Sequence, residues 1–266
     1  MDAYATWTHR AEFILAEAIP GPGSINAGQT APVQTNAKTY MIAWRLLETA
    51  QIPEGGKLRL MRRGAEFSIM LDDKELMNSR RGGSEEALAA LACERVRRRK
   101  EPQILIGGLG MGFTLRAALA ALGRDARITV AELVPDIVSW TRGPLAEVFG
   151  ESLADPRIRI QQTDVGKVIT SGMSAFDAII LDVDNGSEGI TRKANDALYT
   201  IGGLRAARAA LRPEGVLAVW SSGPSLAFMQ RLRNTGFEVE EMKVRANGSR
   251  GGARHIVWLA TNPGRG

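Results

Sequence analysis

The sequence predicts an α/β fold: a mostly parallel sheet ending in an antiparallel hairpin, preceded by a small antiparallel β element and helices. Three observations carry this reading. After Pro102, short apolar runs alternate with helix-patterned stretches, which implies parallel strands joined by crossover helices. Near the C-terminal end, FEVEEMKVR and RHIVWLATN are separated only by the Gly-rich ANGSRGGA, a connection that permits only antiparallel pairing. Between residues 57 and 79, KLRLMRR, AEFSIML and KELMNS alternate imperfectly around turn candidates at Arg63-Gly64 and Asp72-Asp73, as a small antiparallel sheet would.

Taken in order, the chain opens with two helical patterns, residues 6–18 and 36–51, the second placing Tyr40, Trp44 and Leu47 on one face. The turn-forming stretch 19–35 between them is read as a surface loop rather than a lid. After the small sheet, Ser84 precedes Glu85 and Glu86, which predicts an N-cap and first-turn acids for a helix running to Arg99. Then follow QILIG, FTLRAALAAL, RITVAE, PDIVSWTRGPLAEVF, RIRIQQ, a short helix, FDAIILD, DALYTIGGLRAARAAL, GVLAVWS, a helix near residues 225–234, and the hairpin. Five parallel-type strands closed by a hairpin form the Rossmann-like, methyltransferase-type sheet. The expected organisation is an N-terminal helical segment with loop (1–56), a small β element with linking helix (57–100) and the Rossmann-like domain (101–266).

Composition sets limits on function. Of 266 residues, 44% are hydrophobic and 24% charged, an ordinary globular balance. No apolar run nears the roughly 18 residues of a membrane span, and MDAYATWTHR lacks a leader pattern, so no membrane partner and a cytoplasmic location are expected. Cys93 is the only cysteine and His9 and His255 are the only histidines, so no metal centre is expected. The net charge of +5 matches the excess in residues 57–100, which hold 12 basic and 7 acidic side chains. Its densest part, Arg95, Arg97, Arg98, Arg99 and Lys100, ends a predicted helix, where cations offset the macrodipole. Without interleaved aromatics it reads as a solvated helix end, and nucleic acid is not expected as a partner.

The chemistry sits at strand ends. Gly108, Gly110 and Gly112 follow the first parallel strand and open a helix, so the backbone can turn tightly and approach a ligand. Their G-x-G-x-G spacing leaves Phe113 where a dinucleotide fingerprint needs glycine, which argues against nicotinamide. Glu132 ends the second strand, where a carboxylate can accept from both hydroxyls of a ribose. Asp164, with the neighbouring amide of Val165, ends the third strand and can face an adenine amino group. Asp182 ends the fourth. Four successive strand tips of this kind predict one nucleoside site.

These residues carry a resemblance. IGGLGMG, VAEL, DPRIRIQQTD, FDAIILDVDN, LYT and LRPEGVLAVWS resemble the spermidine synthase family, the polyamine aminopropyltransferases, across roughly residues 58–221. That family lies within the class I S-adenosylmethionine-dependent methyltransferase superfamily. The resemblance implies a co-substrate, S-adenosylmethionine or its decarboxylated form, held by Gly108, Gly110, Gly112, Glu132, Asp164, Val165 and Asp182. It also implies an Asp-x-x-Asp after the fourth strand that holds and deprotonates an amine. Here Asp182 matches the first acid and Asn185 stands at the second, with Asp184 as a substitute. The family's Tyr-His pair before the glycine loop is replaced by Gly83-Ser84-Glu85-Glu86-Ala87-Leu88.

Asp182 and Asp184 are therefore the candidate catalytic acids, and Asn185 and Tyr199 candidate acceptor contacts. Because the chain is basic, with Arg80 and Arg81 ahead of the donor domain, the lead expectation is methyl transfer to a small, amine-bearing acceptor. Aminopropyl or aminocarboxypropyl transfer is the alternative; a non-catalytic or nucleic-acid-directed donor-binding protein is the second. Edge pairing of the small sheet would suit a homodimer.

Overall fold

Four short strands open the computed structural model, which describes residues 42–52, 56–183 and 196–264. The predicted helix at 6–18, the loop at 19–35, and Asp184 and Asn185 lie outside the described residues. Strands β1 (Arg45–Gln51), β2 (Lys57–Arg63), β3 (Glu66–Leu71) and β4 (Lys74–Asn78) form an antiparallel sheet in chain order. Leu58 and Leu60 face Leu71 and Ile69 across the β2–β3 ladder, and Leu58, Leu60, Phe67 and Ile69 are buried. This is the period of two that places alternate side chains on one face.

The structure corrects the predicted helix at 36–51, because Arg45–Gln51 is a strand paired antiparallel with β2, Ala50 opposite Leu58. Only Ala50 of that strand is buried, so its own pattern favours neither period and the ladder to β2 decides. Helix α1 (Gly83–Val96) also departs from expectation. It starts at Gly83 behind Gly82, so Ser84 already lies inside the first turn, and its hydroxyl donates to Glu85 Oε2 at 2.6 Å instead of capping. The helix stops at Val96 rather than Arg99.

The main sheet follows: β5 (Gln103–Gly107), α2 (Phe113–Ala121), β6 (Arg127–Glu132), α3 (Pro135–Arg142), α4 (Ala146–Phe149), β7 (Ile158–Gln162), α5 (Val165–Ser171) and β8 (Phe176–Leu181). The second half comprises α6 (Ile201–Ala210), β9 (Leu211–Ser221), α7 (Leu226–Asn234), β10 (Glu238–Arg245) and β11 (Arg254–Thr261). Strand order is β10-β11-β9-β8-β5-β6-β7; β11 runs antiparallel to both its neighbours, and the remaining pairings are parallel. The stretch 135–149, predicted as one helix, is broken between Arg142 and Ala146 by Gly143-Pro144. Side-chain caps come from Asp164 for α5, Thr200 for α6 and Ser225 for α7, each accepting a first-turn N–H. No helix among the described residues is long and apolar enough to cross a membrane.

Two cores flank the main sheet. One runs from Phe67 and Leu60 of the small sheet through Leu88 and Cys93 of α1 to Ile104 and Ile106 of β5; the other holds Leu105, Ile179, Leu204, Phe228 and Trp258. Residues 104–106 alternate between them, as a strand buried on both faces must. Burial pushes the Cys93 thiol up to about 12, which makes it an inert apolar group.

The basic run at the end of α1 is largely solvated, as expected, with Arg95, Arg97, Arg98 and Lys100 exposed, while Arg99 ties it to the main sheet. Arg95 pairs with Glu240 of β10 at 2.8 Å and Arg97 with Glu94 at 2.7 Å. Arg99 reaches Asp177 at 2.7 Å and the Pro213 carbonyl at 2.8 Å. Asp177, 1% exposed at the start of β8, also accepts from Arg212 and from the Gln103 N–H. One carboxylate thereby joins the chain after α1 to β5, β8 and β9. Removing it leaves two part-exposed guanidinium groups and a backbone N–H without their acceptor. Asp177→Ala should lower the unfolding free energy by about 2–3 kcal/mol in a urea titration, and a loss below about 0.5 kcal/mol would contradict this role.

Candidate functional site

The loop from Gly107 to Gly112 leaves β5 between the tips of β6 and β8. Gly108 has φ +89°, and a Cβ there would stand 2.7 Å from the Asp182 carbonyl oxygen. Gly110 has φ +49°, and a Cβ there would meet Met77 Cε at 2.8 Å. Glycine is thus required at Gly108 by the backbone of a neighbouring strand tip and favoured at Gly110 by its left-handed φ, beneath the flexible end of Met77.

Glu132 secures the loop from the other side. Its carboxylate, 5% exposed, accepts from Leu109 N–H at 2.9 Å through Oε2 and from Val134 N–H at 2.8 Å through Oε1. Each oxygen keeps a lone pair for a further donor. Burial pushes this carboxyl above its ordinary range, and the backbone donors at Val134 and Leu109 pull it part of the way back. Asp164 spends Oδ1 on the Gly166 N–H at 2.6 Å, capping α5, which leaves Oδ2 available.

Asp182 lies just beyond β8, partly buried, and Thr114 of α2 donates to its Oδ2 at 2.6 Å. Its carboxyl is pushed up to about 7, first by burial and then by the charge of Glu85, against the pull of the Thr114 hydrogen bond. Glu85, in the first turn of α1, is also raised, mainly by burial, with a smaller contribution from Glu86.

Two cavities meet here. The first, of about 140 Å³, is lined by Gly108, Gly110, Gly112, Glu132, Asp164, Val165 and Asp182, so all seven predicted donor residues converge on one space. Leu58, Ile69, Leu76 and Met77 of the small sheet cover it. The second, of about 410 Å³, is lined among others by Glu75, Arg81, Ser84, Trp220, Asn247 and His255. Leu76, Met77, Glu85 and Asp182 belong to both and form their common wall. Trp220 and His255, both lining the second cavity, lie 4.7 Å apart with their rings tilted by 51°, and Trp220 Nε1, Asn247 Oδ1 and His255 Nδ1 are buried polar atoms with no hydrogen-bond partner among the described residues.

Tyr199 is placed differently from the expectation of an acceptor contact. It is 3% exposed in the second core, edge-on to Phe228 at 5.8 Å, with its hydroxyl donating to the Val183 carbonyl at 3.4 Å. It lines neither cavity. Conversely, sequence reasoning missed Glu85, the Leu76–Met77 cover and the Trp220–His255 wall. Glu85 had been read only as a first-turn acid, and its position next to Asp182 depends on packing between distant segments. As a test of the loop geometry, Gly108→Ala should cost about 1–3 kcal/mol of stability by forcing a side chain into left-handed backbone. Denaturant midpoints unchanged from the parent would refute the close approach to Asp182.

No family model matches the chain. Among curated proteins it is 33% identical over 124 residues to a polyamine aminopropyltransferase of Nitrosomonas europaea, covering 46% of this chain and 36% of that one. It is 29% identical over 149 residues to polyamine aminopropyltransferase 1 of Streptomyces coelicolor, covering 53% and 27%. The chain thus spans about a third of the length of the curated relatives it matches. Among solved structures, spermidine synthase from Thermotoga maritima superposes with a TM-score of 0.65 at 18% identity over 83% of this chain and 74% of that one. A probable spermidine synthase from Corynebacterium glutamicum gives 0.56 at 15% identity over 82% and 80%. A spermidine synthase solved with the transition-state analogue AdoDATO gives 0.65 at 18% identity over 83% and 73%. The fold is that of the spermidine synthases, with the small antiparallel sheet ahead of the methyltransferase-type domain.

Proposed function

We propose that this spermidine synthase-like chain transfers an aminopropyl group from a decarboxylated S-adenosylmethionine-type donor to a small amine. The supporting observation is the charge of the donor cavity: Glu85, Glu132, Asp164 and Asp182 line it, with no Lys, Arg or His among its described residues. A donor that keeps its carboxylate would set that group among four acids, whereas the decarboxylated form brings only cationic groups.

This reverses the order of the expectations drawn from composition. Methyl transfer was favoured because Arg80 and Arg81 precede the domain. Arg80 instead faces Glu66 of the small sheet at 3.5 Å, and Arg81 lines the second cavity rather than the donor cavity. The named relatives and structural neighbours favour the aminopropyl reading as well.

The residues present fit such a donor. Glycine backbone at Gly108 and Gly110 gives close approach, the free lone pairs of Glu132 accept from ribose hydroxyls, and Asp164 Oδ2 with the Val165 amide suits the adenine edge. When bound, the donor supplies a carbon made electrophilic by an attached sulfonium. The protein's part is to align a neutral amine with that carbon and to take the amine's proton. The position of Asp182 at the wall common to both cavities supports giving it the second task, and the adjoining second cavity supports acceptor binding there.

Titration calorimetry tests the reading. The decarboxylated donor should bind at least about tenfold tighter than S-adenosylmethionine, and Glu132→Ala should weaken methylthioadenosine binding about 10–100-fold. Tighter binding of the intact donor would return methyl transfer to the lead.

A further inference from the structure

Two carboxylates at the common wall have no ion-pair partner among the described residues. Glu85 comes from the first turn of α1, Asp182 from the tip of β8, and each lines both cavities. Among the described residues their side-chain partners are hydroxyls: Ser84 to Glu85 at 2.6 Å and Thr114 to Asp182 at 2.6 Å. Holding two half-buried acids close enough for the charge of one to raise the other is costly without a cation, and a cation between them removes part of that cost. Every other acid nearby is engaged or set apart. Glu75 has both oxygens taken, by Ser68 at 2.8 Å and Asn78 at 2.7 Å, and Glu86 is exposed. Glu132 and Asp164 face the donor cavity only.

We propose that Glu85 is the second carboxylate of the reaction centre: with Asp182 it holds the acceptor's ammonium group at the junction of the two cavities and receives its proton. The inference rests on the transfer reading above. Glu85 thereby fills, from a different element, the part that the second acid of Asp-x-x-Asp would play where Asn185 stands. In the step, the ammonium gives one proton to the carboxylate pair, and the freed nitrogen lone pair forms a bond to the carbon attached to sulfonium. The carbon–sulfur bond breaks with its electrons going to sulfur, which leaves as a neutral thioether. The proton on the pair then passes to solvent.

Charge coupling gives a test beyond loss of activity. The Glu85 charge helps hold Asp182 protonated, so the pair accepts a proton only as pH rises through about 7. The other charged groups facing the pair are Glu86 on α1, Arg81 and His255 across the second cavity, Glu75 at its rim, and Glu132 and Asp164 in the donor cavity. Burial lowers the His255 pKa below its ordinary value.

The experiment follows methylthioadenosine release from the decarboxylated donor with 1,4-diaminobutane as acceptor, across pH 5–9, for the parent, Glu85→Gln and Glu85→Asp. Methylthioadenosine affinity and Tm are measured on the same samples. Expected results are a fall in kcat/KM for the acceptor of about 100-fold in Glu85→Gln and partial recovery in Glu85→Asp. The acid limb of Glu85→Gln should move to lower pH, and methylthioadenosine affinity should stay within about threefold. Activity within about threefold of the parent with an unmoved acid limb overturns the inference, as does an activity loss matched by loss of Tm or of methylthioadenosine binding. If the parent transfers from the intact donor instead, the donor reading falls while the Glu85 comparison is read on that reaction. A parent that transfers from neither donor overturns both.

Discussion

The site depends on one buried carboxylate. Glu132 accepts from the Leu109 N–H on one side and the Val134 N–H on the other, so a single acid ties the glycine loop after β5 to the turn after β6. Each of those N–H groups would cost about 1–3 kcal/mol if buried without an acceptor. The loop on its other side is fixed by Gly108, which lies against the Asp182 carbonyl beyond β8. Strand β5 has β6 and β8 as neighbours, so the chain winds outward in both directions from this point. Sheets of this kind hold ligands at such a reversal because the loops there diverge and leave a crevice. In this chain the crevice is floored by glycine, flanked by Glu132 and Asp182, and covered by the small sheet.

Most of the main sheet was legible in the sequence because its strands are short apolar runs bounded by turn formers, and residues 104–106 show why. Ile104 and Ile106 enter one core and Leu105 the other, so the run has to be apolar throughout. That the seven predicted residues line one cavity has a related reason: they lie at strand ends or in the turns leading to the next helix, and parallel strands carry their C-terminal ends to one side. The errors have physical causes too. Tyr40, Trp44 and Leu47 are spaced for a helix, but Arg45–Gln51 belongs to a ladder with β2 that no local pattern records. Ser84 has the residue type of a cap, yet the helix begins before it. Tyr199 sits next to strand-tip chemistry in sequence while its ring is packed against Phe228 in the core.

Bulk charge is a poor guide to the sign of the charge inside the cavity. A net charge of +5 describes a molecular surface, whose fields are screened over roughly 10 Å in ordinary salt. Much of the basic excess is committed to structure, with Arg95 on Glu240, Arg97 on Glu94 and Arg99 on Asp177. Inside the donor cavity the sign is opposite, and there the low dielectric makes each charge count for more than it does at the surface. The four acids that line this cavity come from α1, the end of β6, the residue capping α5 and the residue following β8.

Helix α2 makes the two carboxylates of the common wall into one unit. Thr114 in its first turn holds Asp182, and α1, which carries Glu85, packs along the same helix. Both acids are therefore positioned from one rigid element, although one arrives from the helix behind the small sheet and the other from the fourth strand of the main sheet. An acid on a strand-end loop can swing away when empty. An acid in the first turn of a packed helix has its backbone fixed, and the Glu85 charge raises the Asp182 carboxyl. That repulsion raises the proton affinity of the pair toward neutrality, and it is relieved by an ammonium ion. Under the proposed transfer, the same arrangement would favour binding of the protonated amine and leave an acceptor for the proton lost before nitrogen attacks carbon.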